Sequence, residues 1–266
     1  MIARLIAVLT ACCIALTAQA EPLRLAVTTS FQNSGLSDVL LPEIAADTGL
    51  DVQLLVVGTG QAIRLGEAGD VDAILVHARA AEEAFVAQGY ATHRREIMFN
   101  DFVILGPTDD PAHVKSASTA AEALSSIAEA QALFASRGDD SGTHKRELAL
   151  WEQANITPMQ SWYRALGSGM GATLNTAVAM QAYTLSDRAS WLNFGNKDGL
   201  AIQFSGDDAL QNQYAYLPIN PARHGHVNHS GARALEDWLV SPKGQALIGT
   251  YEIAGETLFT PNAKDR

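Results

Sequence analysis

Along most of the chain, short apolar runs alternate with longer stretches in which apolar positions recur every three or four residues. The first spacing suits strands, and the second suits helices that bury one face. "LRLAV" (Leu23 to Val27), "DVQLLVVG" (Asp51 to Gly58) and "VDAILVHA" (Val71 to Ala78) predict strands. Between and after them, "GLSDVLLPEIAADTG", "QAIRLGEAG" and "RAAEEAFVAQG" predict helices, the last closed by Gly89. A long apolar run, "EIMFNDFVILGP", then ends at Gly106-Pro107. Such a βα rhythm implies a mostly parallel sheet covered by helices.

The rhythm then restarts. "STAAEALSSIAEA" predicts a helix with Ser118 or Thr119 as its N-cap. "ALFASRG" predicts a strand, "SGTHKRELALWEQA" a helix, and "MGATLNTAVAMQA" a helix opened by Gly169 and Gly171. "AYTLSD", "LAIQFSG" and "YAYLPIN" (Tyr214 to Asn220) predict strands, and two helices follow around "GARALEDWLV" and "PKGQALIGTYEIA". No internal repeat, low-complexity tract or Pro/Ser-rich linker divides the chain. Two α/β units without a linker imply lobes joined by crossing strands, near Gly106 and near Tyr214. The expected division is a leader over 1–20, the first part of lobe I over 21–103, lobe II over 104–213 and the rest of lobe I over 214–266.

The leader expectation rests on "MIARLIAVLTACCIALTAQA", where Arg4 precedes an uncharged apolar run and Ala18-Gln19-Ala20 offers a small-x-small cleavage site. The alternatives are a membrane anchor and a lipidated Cys12 at "LTAC". Export to the periplasm is the expectation. Both cysteines lie in the leader, so the mature chain would have no disulfide and no thiolate chemistry. The formal net charge is -11, from 18 Lys+Arg and 29 Asp+Glu. That balance argues against nucleic acid and anionic lipid as partners. Any anion site must therefore be built locally, against the long-range field.

Ligands of open α/β sheets bind beyond the carboxyl ends of strands. Three such ends are rich in hydroxyl and glycine. Thr28, Thr29 and Ser30 follow the first strand, Thr59 and Gly60 the second, and "SRGDDSGTHKRE" (Ser136 to Glu147) follows "ALFA". Each precedes a helix, whose N-terminus offers free N–H groups and the positive end of its dipole. Arg137 adds a permanent cation with a fork of donors, and Ser141, Gly142 and Thr143 add side-chain and backbone donors. Taken singly, these are ordinary caps and turns. Arg137-Gly138-Asp139 also spells an adhesion tripeptide, which would need an exposed loop tip. Asp139 and Asp140 are expected to hold Arg137 rather than touch a ligand.

Catalytic signatures are lacking: there is no G-x-S-x-G elbow, no H-E-x-x-H and no Walker loop. The expectation is binding without catalysis and without a cofactor. His224, His226 and His229 in "HGHVNH" could hold zinc, but no cysteine or nearby acid completes the set. His77, ending a strand, fits a packed core histidine or a donor behind the site, and His144 could also be such a donor. Trp151, Trp162, Trp191 and Trp238 fit core positions.

"TTSFQNSGL", "VGTGQAI", "GDVDAILVHA", "MFNDFVILGP", "SRGDDSGTHKRE", "GMGATL" and "AYTLSDR" give the chain a family resemblance. It resembles the periplasmic tungstate-binding component of ABC transporters, within the type II solute-binding protein class, over almost all of the mature chain. Phe99 stands where the family usually has Tyr, and Val27 where some members have Thr. The resemblance implies a two-lobed α/β fold with an oxyanion in the interlobe cleft, a membrane permease as partner, and a monomer. Carried over by motif, Thr29, Ser30, Thr59 and Gly60 would bind from lobe I. Arg137, Ser141, Gly142 and Thr143 would bind from lobe II, with Gly171 as a further backbone donor. Tungstate carries no proton and needs donors alone, and molybdate is nearly its equal in size and charge. A phosphate or sulfate receptor is the runner-up, since Asp139 or Asp140 could accept the proton of hydrogenphosphate. A secreted phosphate-ester hydrolase is the remaining alternative.

Overall fold

In the computed structural model, which describes residues 21–159 and 161–264, the short apolar runs become strands. Leu23, Leu25 and Val27 of β1 (Leu23–Thr28) enter one core, and Ala26 enters another on the opposite face. The chain continues through α1 (Thr29–Ser34), α2 (Leu36–Thr48), β2 (Val52–Val57), α3 (Thr59–Ala68), β3 (Ala73–Val76) and α4 (Arg79–Ala87). The strands β2, β1 and β3 lie side by side and parallel. Helix α2 covers one face of this sheet, while α3 and α4 cover the other.

The next strand, β4 (Arg95–Pro107), is thirteen residues long and serves two sheets. Beyond it come α5 (Ala120–Glu129), β5 (Phe134–Ser136), α6 (Gly142–Gln153), β6 (Tyr163–Ala165), α7 (Met170–Met180), β7 (Thr184–Asp187), α8 (Arg188–Asn193), β8 (Leu200–Phe204) and β9 (Gln211–Pro218). The chain closes with α9 (His229–Leu239), α10 (Pro242–Gly249) and the short strands β10 (Glu252–Ile253), β11 (Glu256–Thr257) and β12 (Thr260–Pro261). Arg95 to Asp101 of β4 pair with β9, which itself pairs with β3 in lobe I. Phe102 to Pro107 pair with β7 and β8 in lobe II. The partner therefore changes between Asp101 and Phe102. In lobe II, Phe102 and Ile104 face a core with Trp151 and Trp162, and Val103 and Leu105 face one with Trp191. All four tryptophans are buried, as their spacing suggests.

The sheets are mixed, not mostly parallel. Every pairing made by β4 and β9 is antiparallel: β9 runs against β3 and β4, and β4 runs against β7 and β8. Strand β9 also begins at Gln211, three residues before the expected start, since its first residues pair with Asp101 and Asn100. Helix α8, which periodicity does not announce, is capped by Asp187, whose side chain accepts from Ser190 N–H. It leaves lobe II and packs on α1: Ala189 joins the lobe I core, and Asn193 Nδ2 donates to Asn33 O at 2.8 Å. Thr119 is the N-cap of α5, one of the two residues expected there.

Candidate oxyanion site

The strand ends expected to form an anion site meet where the lobes touch. Thr28 caps α1, its Oγ1 accepting from Phe31 N–H at 3.3 Å, and Thr29 is the first residue of that helix. Ser30 Oγ lies 3.0 Å from Thr28 Oγ1, 3.1 Å from His77 Nε2 and 3.2 Å from Tyr214 OH. Three partners match a hydroxyl's capacity of one donor and two acceptors, so this side chain is engaged within the protein. From the second strand end, Thr59 opens α3 and is 1% exposed. From lobe II, Ser141 caps α6, its Oγ accepting from His144 N–H, and Gly142 and Thr143 form the first turn. A β-carbon placed on Gly60 would lie 3.3 Å from Asp140 Oδ2, and one on Gly142 would lie 2.5 Å from His77 Cε1. These contacts bring all three strand ends together.

Arg137 is 5% exposed, which excludes the adhesive-tip reading. Its Nη2 donates to Asp139 Oδ2 at 2.5 Å, and the other oxygen of Asp139 accepts from Ser141 N–H at 3.3 Å. Burial works against the Asp139 carboxylate, yet its hydrogen bonds with Ser141 and the charge of Arg137 hold it below the usual carboxylate range. Asp140 departs from expectation. It is exposed and accepts from Lys145 Nζ at 2.6 Å, so Asp139 alone orients the arginine. Its φ of 59° turns the chain sharply into α6, which explains why adjacent acids serve different partners. Among the described residues, the buried donors here without a hydrogen-bond partner include Thr59 Oγ1, Thr143 Oγ1 and Arg137 Nε. Buried polar groups are ordinarily satisfied, so such a cluster marks a place for an acceptor.

The fold agrees with what the sequence matches. The profile of the PBP superfamily domain matches residues 16–243. The chain belongs to this superfamily. A relative named "Tungstate-binding protein TupA", from Peptoclostridium acidaminophilum, is 48% identical over 243 residues, covering 90% of this chain and 85% of that one. The structure of the tungstate binding protein TupA from Desulfovibrio alaskensis G20 superposes with a TM-score of 0.82 at 45% identity, covering 91% of this chain and 100% of that one. That of the tungstate ABC transporter from Geobacter sulfurreducens gives 0.81 at 46% identity, covering 87% and 99%. These relatives are named for binding and transport, not for catalysis.

Of the other candidates in this PBP superfamily chain, the histidines have structural partners. Gly171 lies exposed in the first turn of α7 beside Asn33 and Ser190, and nothing comes within 4 Å of a β-carbon built on it. His224 and His226 each bond a carbonyl at the end of α3 or just beyond, Glu67 O at 3.0 Å and Gly69 O at 2.9 Å, and no metal-holding cluster occurs among the described residues. His144 Nδ1 accepts from Asp140 N–H at 3.1 Å, which stiffens the turn before α6.

Motif reasoning understated two groups. Glu147, two turns into α6, accepts from Tyr163 OH at 2.7 Å and Trp151 Nε1 at 3.2 Å. Burial pushes its carboxyl up to about 7 despite these donors. An acid with a raised folded-state pKa favours folding below its unfolded value, here 4.5, and loses that contribution as pH rises through 7. Glu147→Gln is therefore expected to match the native chain in stability below that range and to exceed it above pH 7 by at most about 3 kcal/mol. Denaturant titrations across pH check this, and parallel profiles would show that Glu147 keeps an ordinary pKa. His77 is the other group. Burial, chiefly, with the charges of Arg137 and Arg146 adding, lowers it to about 4, so the imidazole is neutral at physiological pH. Its position beyond β3, which runs parallel beside β1, was the available signal.

Proposed function

We propose that this chain is an extracytoplasmic substrate-binding protein that captures a tetrahedral oxyanion in the cleft between its lobes and hands it to an ABC importer. Tungstate is the preferred cargo, with molybdate second. The strongest support is a set of buried donors, Thr59 Oγ1, Thr143 Oγ1 and Arg137 Nε, that no acceptor among the described residues satisfies. An unprotonated dianion presents acceptors only, and its burial is tolerable when its oxygens are paired. Ser141, Gly142, Thr143 and Gly60 would add backbone donors from the first turns of α6 and α3, and Ser30 and Thr29 would do so from α1. Phosphate is the runner-up: Asp139 has both oxygens engaged, but Asp140 accepts from Lys145 through Oδ1 only, and its Oδ2 lies beside Gly60, where it would accept the proton of hydrogenphosphate.

Export fits this role. The proposed leader, residues 1–20, lies outside the described residues, and among those described no helix is long and apolar enough to cross a membrane. The working form would be a monomer that presents both lobes to a permease.

Calorimetry with tungstate, molybdate, sulfate and phosphate tests the reading. The native chain is expected to bind tungstate tightly. Thr59→Val and Thr143→Val should each weaken it about 5- to 10-fold, near 1 kcal/mol per hydrogen bond. Their ligand-free melting temperatures should hold or rise, because neither hydroxyl has a protein partner to lose. Binding of phosphate with no response to tungstate would overturn the assignment.

A further inference from the structure

His77 touches both halves of the site. From lobe I, its Nε2 lies 3.1 Å from Ser30 Oγ, and its ring packs against Tyr214 with centroids 4.8 Å apart. From lobe II, the first turn of α6 comes so close that a β-carbon on Gly142 would sit 2.5 Å from His77 Cε1 and 2.9 Å from Nδ1. Gly142 does not have the positive φ that calls for glycine elsewhere in the chain, so its backbone would accept alanine. What requires glycine is the imidazole seated against it. The ring is backed by fully buried Tyr214 and by Phe102 at a centroid distance of 6.4 Å, while its other side borders a groove shared with Gly142 and Arg146.

We propose that His77 is a positioning residue that sets how far the two lobes close, with Gly142 coming to rest on its ring. The proposal rests on the oxyanion reading above. Packed interiors yield little to compression, so one added methyl at Gly142 would hold α6 away from lobe I. Arg137 and Thr143 travel with α6 and its preceding loop. Their hydrogen bonds to an anion already held at Thr59 would stretch, and such bonds weaken steeply with distance and misalignment.

A double-mutant cycle on the exported chain, read by tungstate calorimetry, tests this. Gly142→Ala is expected to weaken binding by about 20-fold or more, and His77→Ala by about 3- to 10-fold through loss of the Ser30 contact. The pair together should bind at least about fivefold better than Gly142→Ala alone, because removal of the ring frees the space the methyl needs. Small-angle scattering should show tungstate-induced compaction in the native chain and the double variant, but not in Gly142→Ala. Ligand-free melting curves accompany each variant, and Gly142→Ser, with its β-carbon in the same place, replaces an unstable Gly142→Ala. A double variant as weak as the product of the singles, or a Gly142→Ala that binds like the native chain, would overturn the proposal while leaving the oxyanion reading intact. A native chain that binds none of tungstate, molybdate, sulfate and phosphate would overturn both.

Discussion

Arg137→Ala is expected to weaken tungstate binding by about 10- to 150-fold, the equivalent of the 1.5–3 kcal/mol typical of hydrogen bonds to charged groups. Two effects add in the same direction. The substitution removes a guanidinium that is 5% exposed and holds one buried donor, Nε, without a protein partner. It also strips Asp139 of its counter-charge, leaving a carboxylate beside the incoming dianion. The second effect is separable. Arg137→Ala with Asp139→Asn should recover part of the lost affinity, because the repulsion is gone while the donor is still missing. Arg137→Lys should fall between the native chain and Arg137→Ala, since an ammonium restores charge but cannot reproduce the planar fork. Calorimetry at fixed ionic strength measures all three. Affinity of Arg137→Ala within twofold of native would remove this residue from the site.

Most of the elements were legible because their signals are local. The short apolar runs "LRLAV" and "VDAILVHA" mark strands, and the period of two of a strand puts Leu25 and Val27 in one core and Ala26 in the other. Strand direction was not legible. Nothing within "EIMFNDFVILGP" says that its first half pairs with one lobe and its second with the other, since both partners, β9 and β7, lie far along the chain. Helix α8 escaped notice because six residues give too little periodicity, and its interlobe packing on α1 is a tertiary fact. The donor-rich strand ends could be named because capping residues and glycines before a helix are visible in sequence. How their side chains divide the work could not. Ser30 meets His77 and Tyr214 across separations of 47 and 184 residues, and no local pattern encodes that its hydroxyl is spent on them. The same limit applies to the acids of "SRGDDSGTHKRE": a left-handed turn at Asp140, invisible in composition, gives Arg137 to one and Lys145 to the other.

The largest expected loss of stability is at Gly106→Ala, on the strand that crosses between the lobes. A β-carbon there would fall 2.2 Å from Tyr183 Cδ1 and 2.3 Å from Cε1, inside the ring's own volume. Tyr183 is fully buried, and its hydroxyl donates to Asp110 Oδ1 at 2.8 Å while accepting from Ala112 N–H at 3.0 Å. The ring therefore cannot move without giving up two buried hydrogen bonds. Overpacking alone costs about 1–3 kcal/mol, and each buried polar group left unpaired adds about 1–3 kcal/mol. With both hydrogen bonds lost, a total of about 3–9 kcal/mol is a large share of the roughly 5–15 kcal/mol that holds a typical domain folded. Chemical denaturation should show the midpoint falling accordingly. Because neither Gly106 nor Tyr183 supplies a donor to the proposed site, the loss of affinity should arise chiefly through unfolding. Saturating tungstate should then raise the melting temperature of Gly106→Ala as it does that of the native chain. A stability loss below about 1 kcal/mol would mean that the crossing strand shifts to accommodate the methyl, and that Tyr183 is less firmly held than its two hydrogen bonds imply.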